Sequence, residues 1–219
     1  MERKTEMEKE ATHDDAVLIS NSGLTTERIQ GLSDGVFSIA MTILVLELTI
    51  PSGLSSGQLA GSIYHLWPRI AAYFLSFLAL GTLWIGQHLE FNWVRTSNRT
   101  FLWLSLVFLA FVALVPFSTT MLGEYPSDQL TVVFYAANLT ICAALLLVQW
   151  LYATQGHRLV SASLDHELID WVKFRVFGAI CLNSLAMILT LWSTTASLAL
   201  LGIGQILAIV PFKREKNMF

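Results

Sequence analysis

Six stretches of mostly apolar residues alternate with short polar segments along the chain. They run roughly 29–50, 66–89, 100–122, 130–153, 171–193 and 196–212. A helix needs about 20 such residues to cross the hydrocarbon of a bilayer, so each stretch is predicted to be a transmembrane helix. The last is short. Only "STTAS" separates it from the fifth, which predicts a tight helical hairpin.

Composition agrees with this pattern. Of the 219 residues, 54% are hydrophobic and 13% charged, about half the charge of an ordinary soluble domain. The fold class read from this is an all-α integral membrane protein of six transmembrane helices. The net charge of -3 and the lack of a basic block argue against a nucleic-acid partner. Cys142 and Cys181 both lie inside apolar runs, which suits helix packing better than a disulfide or metal site. No cofactor is expected.

Charge also orients the chain. Twelve of the thirteen lysines and arginines fall before helix 1, in the even-numbered connections or after helix 6; Arg69 stands alone on the other side. The positive-inside rule then places both termini in the cytoplasm of a multi-pass protein of the cell membrane. Residues 1–27 read as a solvated tail with no leader to be cleaved, 28–212 as the membrane domain and 213–219 as a basic C-terminus. The connection "TQGHRLVSASLDHELIDWVKFR" between helices 4 and 5 is expected to hold a short interfacial helix.

Several function classes lack their signatures. Helices 1 and 4 share no pattern of the kind left by an inverted repeat. No helix carries an arginine ladder, and no carbonyl filter of the TVGYG type is present. No nucleophile, base or metal-ligand set clusters within the spans, so an enzyme is not expected.

Helix 1 is the informative segment. In "RIQGLSDGVFSIAMTILVLELTIP" (28–51), Ile39, Ile43, Leu46 and Ile50 form one stripe if the helix is regular, with Thr42 beside it and Ser38 and Gly35 extending it inward. The stripe could pack against a neighbour or line a narrow apolar pore, and spacing alone does not decide. Arg28 and Asp34 occupy the first turns. Charge inside a bilayer is costly, and a short Asp cannot reach the interface as Arg can. Trp84 and His88, at i and i+4 on helix 2, lie at the same depth and could both donate to Asp34, with Arg28 balancing the charge. This cluster could be a structural clamp or part of a proton relay. Glu47, near Pro51 at the outer end, could be a solvated interface acid or an attractor of cations at an outer mouth.

The stretch from Arg28 to Leu46 resembles the signature of the transmembrane protein 175 family of potassium channels, in its bacterial single-repeat form. The family pattern is Arg, three residues, then Phe-Ser-Asp and an apolar helix. Here Arg28, Ser33 and Asp34 match, and Leu32 replaces the Phe. "TLWIGQHLEF" is similar to the family's Trp-x-x-His-His segment, with Gln87 where the first His often stands, and "ALVPFSTTML" is similar to the end of its third helix.

The resemblance implies a homotetramer whose potassium-conducting pore is lined by helix 1 of each subunit. It implies an apolar constriction from Ile39, Ile43 and Leu46, about 10 Å long at helical rise. Ser38 and Thr42 would be polar pore-lining residues. Arg28, Ser33, Asp34, Trp84 and His88 would form a network bracing the pore helix, with Glu47 at a wet outer mouth. The implied partners are potassium ions, the lipid bilayer and further copies of the chain. The competing reading is a proton- or ion-coupled secondary transporter using Asp34, Glu47 and His88.

Overall fold

Residues 26–50, 56–161 and 164–209 are described in this computed structural model of the chain. Among these residues seven α-helices follow in order: α1 (Thr26–Ile43), α2 (Ser56–His65), α3 (Trp67–Trp93), α4 (Arg99–Glu124), α5 (Gln129–Thr154), α6 (His166–Leu189) and α7 (Thr194–Ile209). A 3-10 turn, Leu44–Glu47, extends α1. Among the described residues, five segments are long and apolar enough to cross a membrane: α1 with its turn, α3, α4, α5 with the turn that follows it, and α6. The chain is an all-α membrane protein. The sixth expected span, α7, has 16 residues, about 24 Å at helical rise against about 30 Å of hydrocarbon.

Several expected boundaries move. Helix 1 was expected to run to residue 50, but α geometry ends at Ile43 and residues 48–50 leave the helix. Pro51 disfavours α geometry at Ile50, and Leu48 N–H closes the turn on the Val45 carbonyl at 3.1 Å. Ile50 therefore does not continue the helical stripe. The helix begins at Thr26, inside the expected tail; residues 1–25 and 210–219, which hold the rest of that tail and the basic C-terminus, lie outside the described residues. The first connection contains α2, a helix that hydropathy did not announce.

The expected interfacial helix between the fourth and fifth spans is absent among the described residues. Gly156, at φ 61°, turns the chain out of α5. Val160 then pairs with Val94 in an isolated antiparallel bridge, tying this connection to the one between α3 and α4. His166 already belongs to α6, which starts at the Asp165 cap: its side chain accepts from the Glu167 N–H. Asn98 and Asp128 cap α4 and α5 in the same way.

Hydroxyl groups hold the middle of the bundle. Ser76 on α3 lies 2.7 Å from Thr119 on α4 and 3.0 Å from the Tyr135 hydroxyl on α5, and all three are buried. In hydrocarbon such groups need protein partners, so this chain fixes three helices at one depth. The α6–α7 hairpin is locked similarly: Thr190 Oγ1 is 2.9 Å from Ser197 Oγ, which donates to the Ala186 carbonyl at 2.7 Å.

α1 packs against α3 and α4 along Ile29, Ser33, Phe37, Ala40 and Leu44, all buried. Their spacing of four, four, three and four follows one helical face. Phe37 meets Phe108 of α4 with ring centroids 6.0 Å apart. The other described helices that touch α1 therefore lie on one side of it, and no described residue covers its other side.

Candidate functional site

The bare side of α1 carries the stripe. Ile39 is 60% exposed, Ile43 39% and Leu46 67%, and Gly35, Ser38 and Thr42 are exposed with them. None of these side chains belongs to the buried core of this chain. The Thr42 hydroxyl lies 2.9 Å from the carbonyls of both Ser38 and Ile39. Its proton is engaged by the backbone, which leaves oxygen lone pairs for the open face. Leu46 stands on the 3-10 turn, where the tighter winding alters its azimuth relative to a continuous α-helix.

The N-terminal part of α1 is tied to α3 by polar side chains. Trp84 Nε1 donates to Asp34 Oδ1 at 2.8 Å, a charge-assisted contact at the exposed edge of the two helices. One turn along α3, His88 stacks beside the Trp84 ring at 5.4 Å. It does not reach Asp34. Its Nδ1 instead faces the Gln30 amide at 3.5 Å, so the expected His88–Asp34 hydrogen bond is replaced by a His88–Gln30 approach. Arg28 is exposed and forms no ion pair among the described residues. The charge balance expected from it is not made among the described residues.

The buried part of the tie is different again. Ser33 Oγ donates to Gln87 Oε1, and both residues are almost wholly enclosed. Gln87 and Gln30 are the network members that spacing arguments did not assign. The available signal was position: Gln87 lies one residue before His88 and three after Trp84, hence on the adjoining face of α3. Leu32, which replaces the aromatic residue of the motif, is half exposed and adds nothing to this seam.

At the other end, Glu47 is half-buried. It lines a small crevice with Arg69, Tyr73 and Glu124, beside the Arg69–Glu124 ion pair at 3.3 Å. No group of three or more His, Cys, Asp or Glu suited to a metal ion occurs among the described residues.

Residues 28–116, which span α1, the brace and most of α4, match the family described as endosomal/lysosomal potassium channel TMEM175. A protein from Streptomyces collinus named a potassium channel is 32% identical over 142 residues, covering 63% of this chain and 69% of the relative. The chain belongs to the TMEM175 family. The human family member, named an endosomal/lysosomal proton channel, is 32% identical over 139 residues, 58% of this chain but 28% of that longer protein. The crystal structure of a lysosomal potassium-selective channel TMEM175 homolog from Chamaesiphon minutus superposes with a TM-score of 0.75 at 27% identity. It covers 84% of this chain and 95% of that one. The match extends past the signature, so this TMEM175 chain shares the family fold through its later helices as well as through α1.

Proposed function

We propose that the chain forms a potassium-preferring cation channel in which four copies arrange their α1 helices around a common axis. The observation that carries this reading is the two-sidedness of α1: one face is packed into its own subunit, and the other presents Ile39, Ile43 and Leu46 uncovered by any described residue. The names of the bacterial relatives support potassium as the ion.

In such an assembly each stripe residue becomes a fourfold apolar ring. Ions cross by losing part of their hydration, and conduction depends on whether water wets the constriction. Ser38 and Thr42 supply the polar lining, with the Thr42 lone pairs turned toward the ion. The network of Ser33, Asp34, Trp84 and His88, joined by Gln87 and Gln30 and without Arg28, holds α1 at a fixed angle to α3. Glu47 attracts cations toward the outer mouth. The protein sits in the cell membrane with both termini inside.

Purified protein in liposomes tests the reading. Under potassium/sodium bi-ionic conditions a potassium-preferring channel gives a reversal potential that follows the potassium gradient with no coupled ion. A reversal potential set by the pH gradient would instead favour protons, the ion in the human relative's name. Uptake that requires a second ion gradient would overturn the channel in favour of a coupled transporter.

A further inference from the structure

A second site lies away from α1. Helices α3, α5, α6 and α7 line a cavity of about 410 Å³, in which α3 and α6 face each other without touching. Its walls are mostly apolar, but Glu90 on α3 is one of them and is only 3% exposed. No described residue donates a hydrogen bond to its side chain, and Oε1 is sealed from solvent without a partner. Buried carboxyl groups without partners are rare because losing water without a replacement hydrogen bond is costly.

The surroundings favour a cation. Three indole rings, Trp93, Trp150 and Trp171, line the same cavity. Indole faces attract ammonium groups, more strongly when water is excluded. The other charged wall residue, Arg175, is engaged elsewhere. Its guanidinium donates to the Ala208 carbonyl at 3.2 Å and lies 5.5 Å from the Trp171 ring centroid. It makes no ion pair with Glu90.

We propose that this cavity is a binding site for a hydrophobic amine: one apolar chain or small ring system with a protonated amino group that pairs with Glu90 among the indoles. A volume of about 410 Å³ falls in the range of small-molecule pockets and is too small for a two-chain lipid. The ligand enters beside α6, on the side facing α3, where the lining residues Phe174 and Ala179 are exposed. The site is separate from the α1 stripe and from the Asp34–Trp84 tie, and it does not depend on which ion the channel conducts.

Quenching of tryptophan emission by bromodecylamine, with bromodecanol as the matched neutral probe, tests the proposal on the full chain in detergent. Wild type should show saturable quenching by the amine at a concentration about tenfold below that of the alcohol, the worth of one hydrogen bond to a charged group. Glu90→Gln should abolish that preference and leave the alcohol's curve unchanged. Ala179→Phe, which narrows the rim from an exposed position, should remove the saturable component for both probes and serves if Glu90→Gln does not fold. Equal quenching by both probes in wild type, or an amine preference that survives Glu90→Gln or Ala179→Phe, would overturn the site.

Discussion

Ser33 of α1 and Gln87 of α3 share a hydrogen bond that is closed to solvent, while the Asp34–Trp84 contact beside it lies at an exposed edge. The enclosed pair is thus the more sensitive part of the tie between the two helices. Ser33→Ala leaves the Gln87 carbonyl oxygen buried without a donor, and the Gln87 Nε2 already lacks an acceptor among the described residues. The expected loss is about 1–3 kcal/mol of stability. Ser33→Ala combined with Gln87→Met removes both polar groups and should recover much of it. Thermal unfolding of the two variants in detergent checks the difference; equal losses would show that the hydrogen bond does not matter.

Trp84→Phe keeps an aromatic ring against His88 and removes the N–H that Asp34 accepts. The contact is exposed within one subunit, so screening reduces its worth to at most about 1 kcal/mol there. A larger loss of assembled protein than of monomer stability is expected, because in a tetramer the α1 face beside Asp34 adjoins the next copy. Size-exclusion yield beside a melting curve distinguishes the two effects.

Ile39→Asn places four hydrogen-bonding side chains in one proposed apolar ring. Current should rise severalfold and discrimination between potassium and sodium should fall, since polar groups hold partly hydrated ions of either kind. If the exposed face of α1 only packs against lipid, the same change lowers protein yield and current together. Bi-ionic recordings normalised to assembled protein decide between these outcomes.

Tetramer formation is a prediction in its own right. Mass measurement in nanodiscs should give four copies, because one α1 stripe cannot enclose a lumen. A stable monomer or dimer that still conducts would remove α1 from the pore.

Tyr135→Phe tests the hydroxyl chain across α3, α4 and α5. The buried Ser76 hydroxyl loses its contact with Tyr135, and Thr119 is its remaining partner on that side. A loss of about 1–2 kcal/mol is expected, with ion selectivity unchanged because none of the three residues lies on the exposed face of α1.

Hydropathy located the five described segments long and apolar enough to cross a membrane, because a span depends only on how many consecutive residues avoid water. Helical period also separated the two faces of α1, since residues four apart share an azimuth whatever the helix packs against. The Arg28–Leu46 motif led to the TMEM175 family. Local spacing could place Trp84 and His88 on one face of α3, yet it could not tell which would meet Asp34. That depends on the crossing of α1 over α3, where the buried position fell to Gln87 and His88 was turned toward Gln30. The end of α1 at Ile43, the short helix α2 and the direct start of α6 at His166 also lay beyond hydropathy, which is blind to backbone hydrogen bonding in a connection. Glu90 shows the limit most plainly. In the sequence it is a polar residue near the end of an apolar run, where solvent would be in reach. Only the packing of α3 against α5 and α7, with α6 completing the cavity wall, encloses it, because burial is decided by residues distant in the chain.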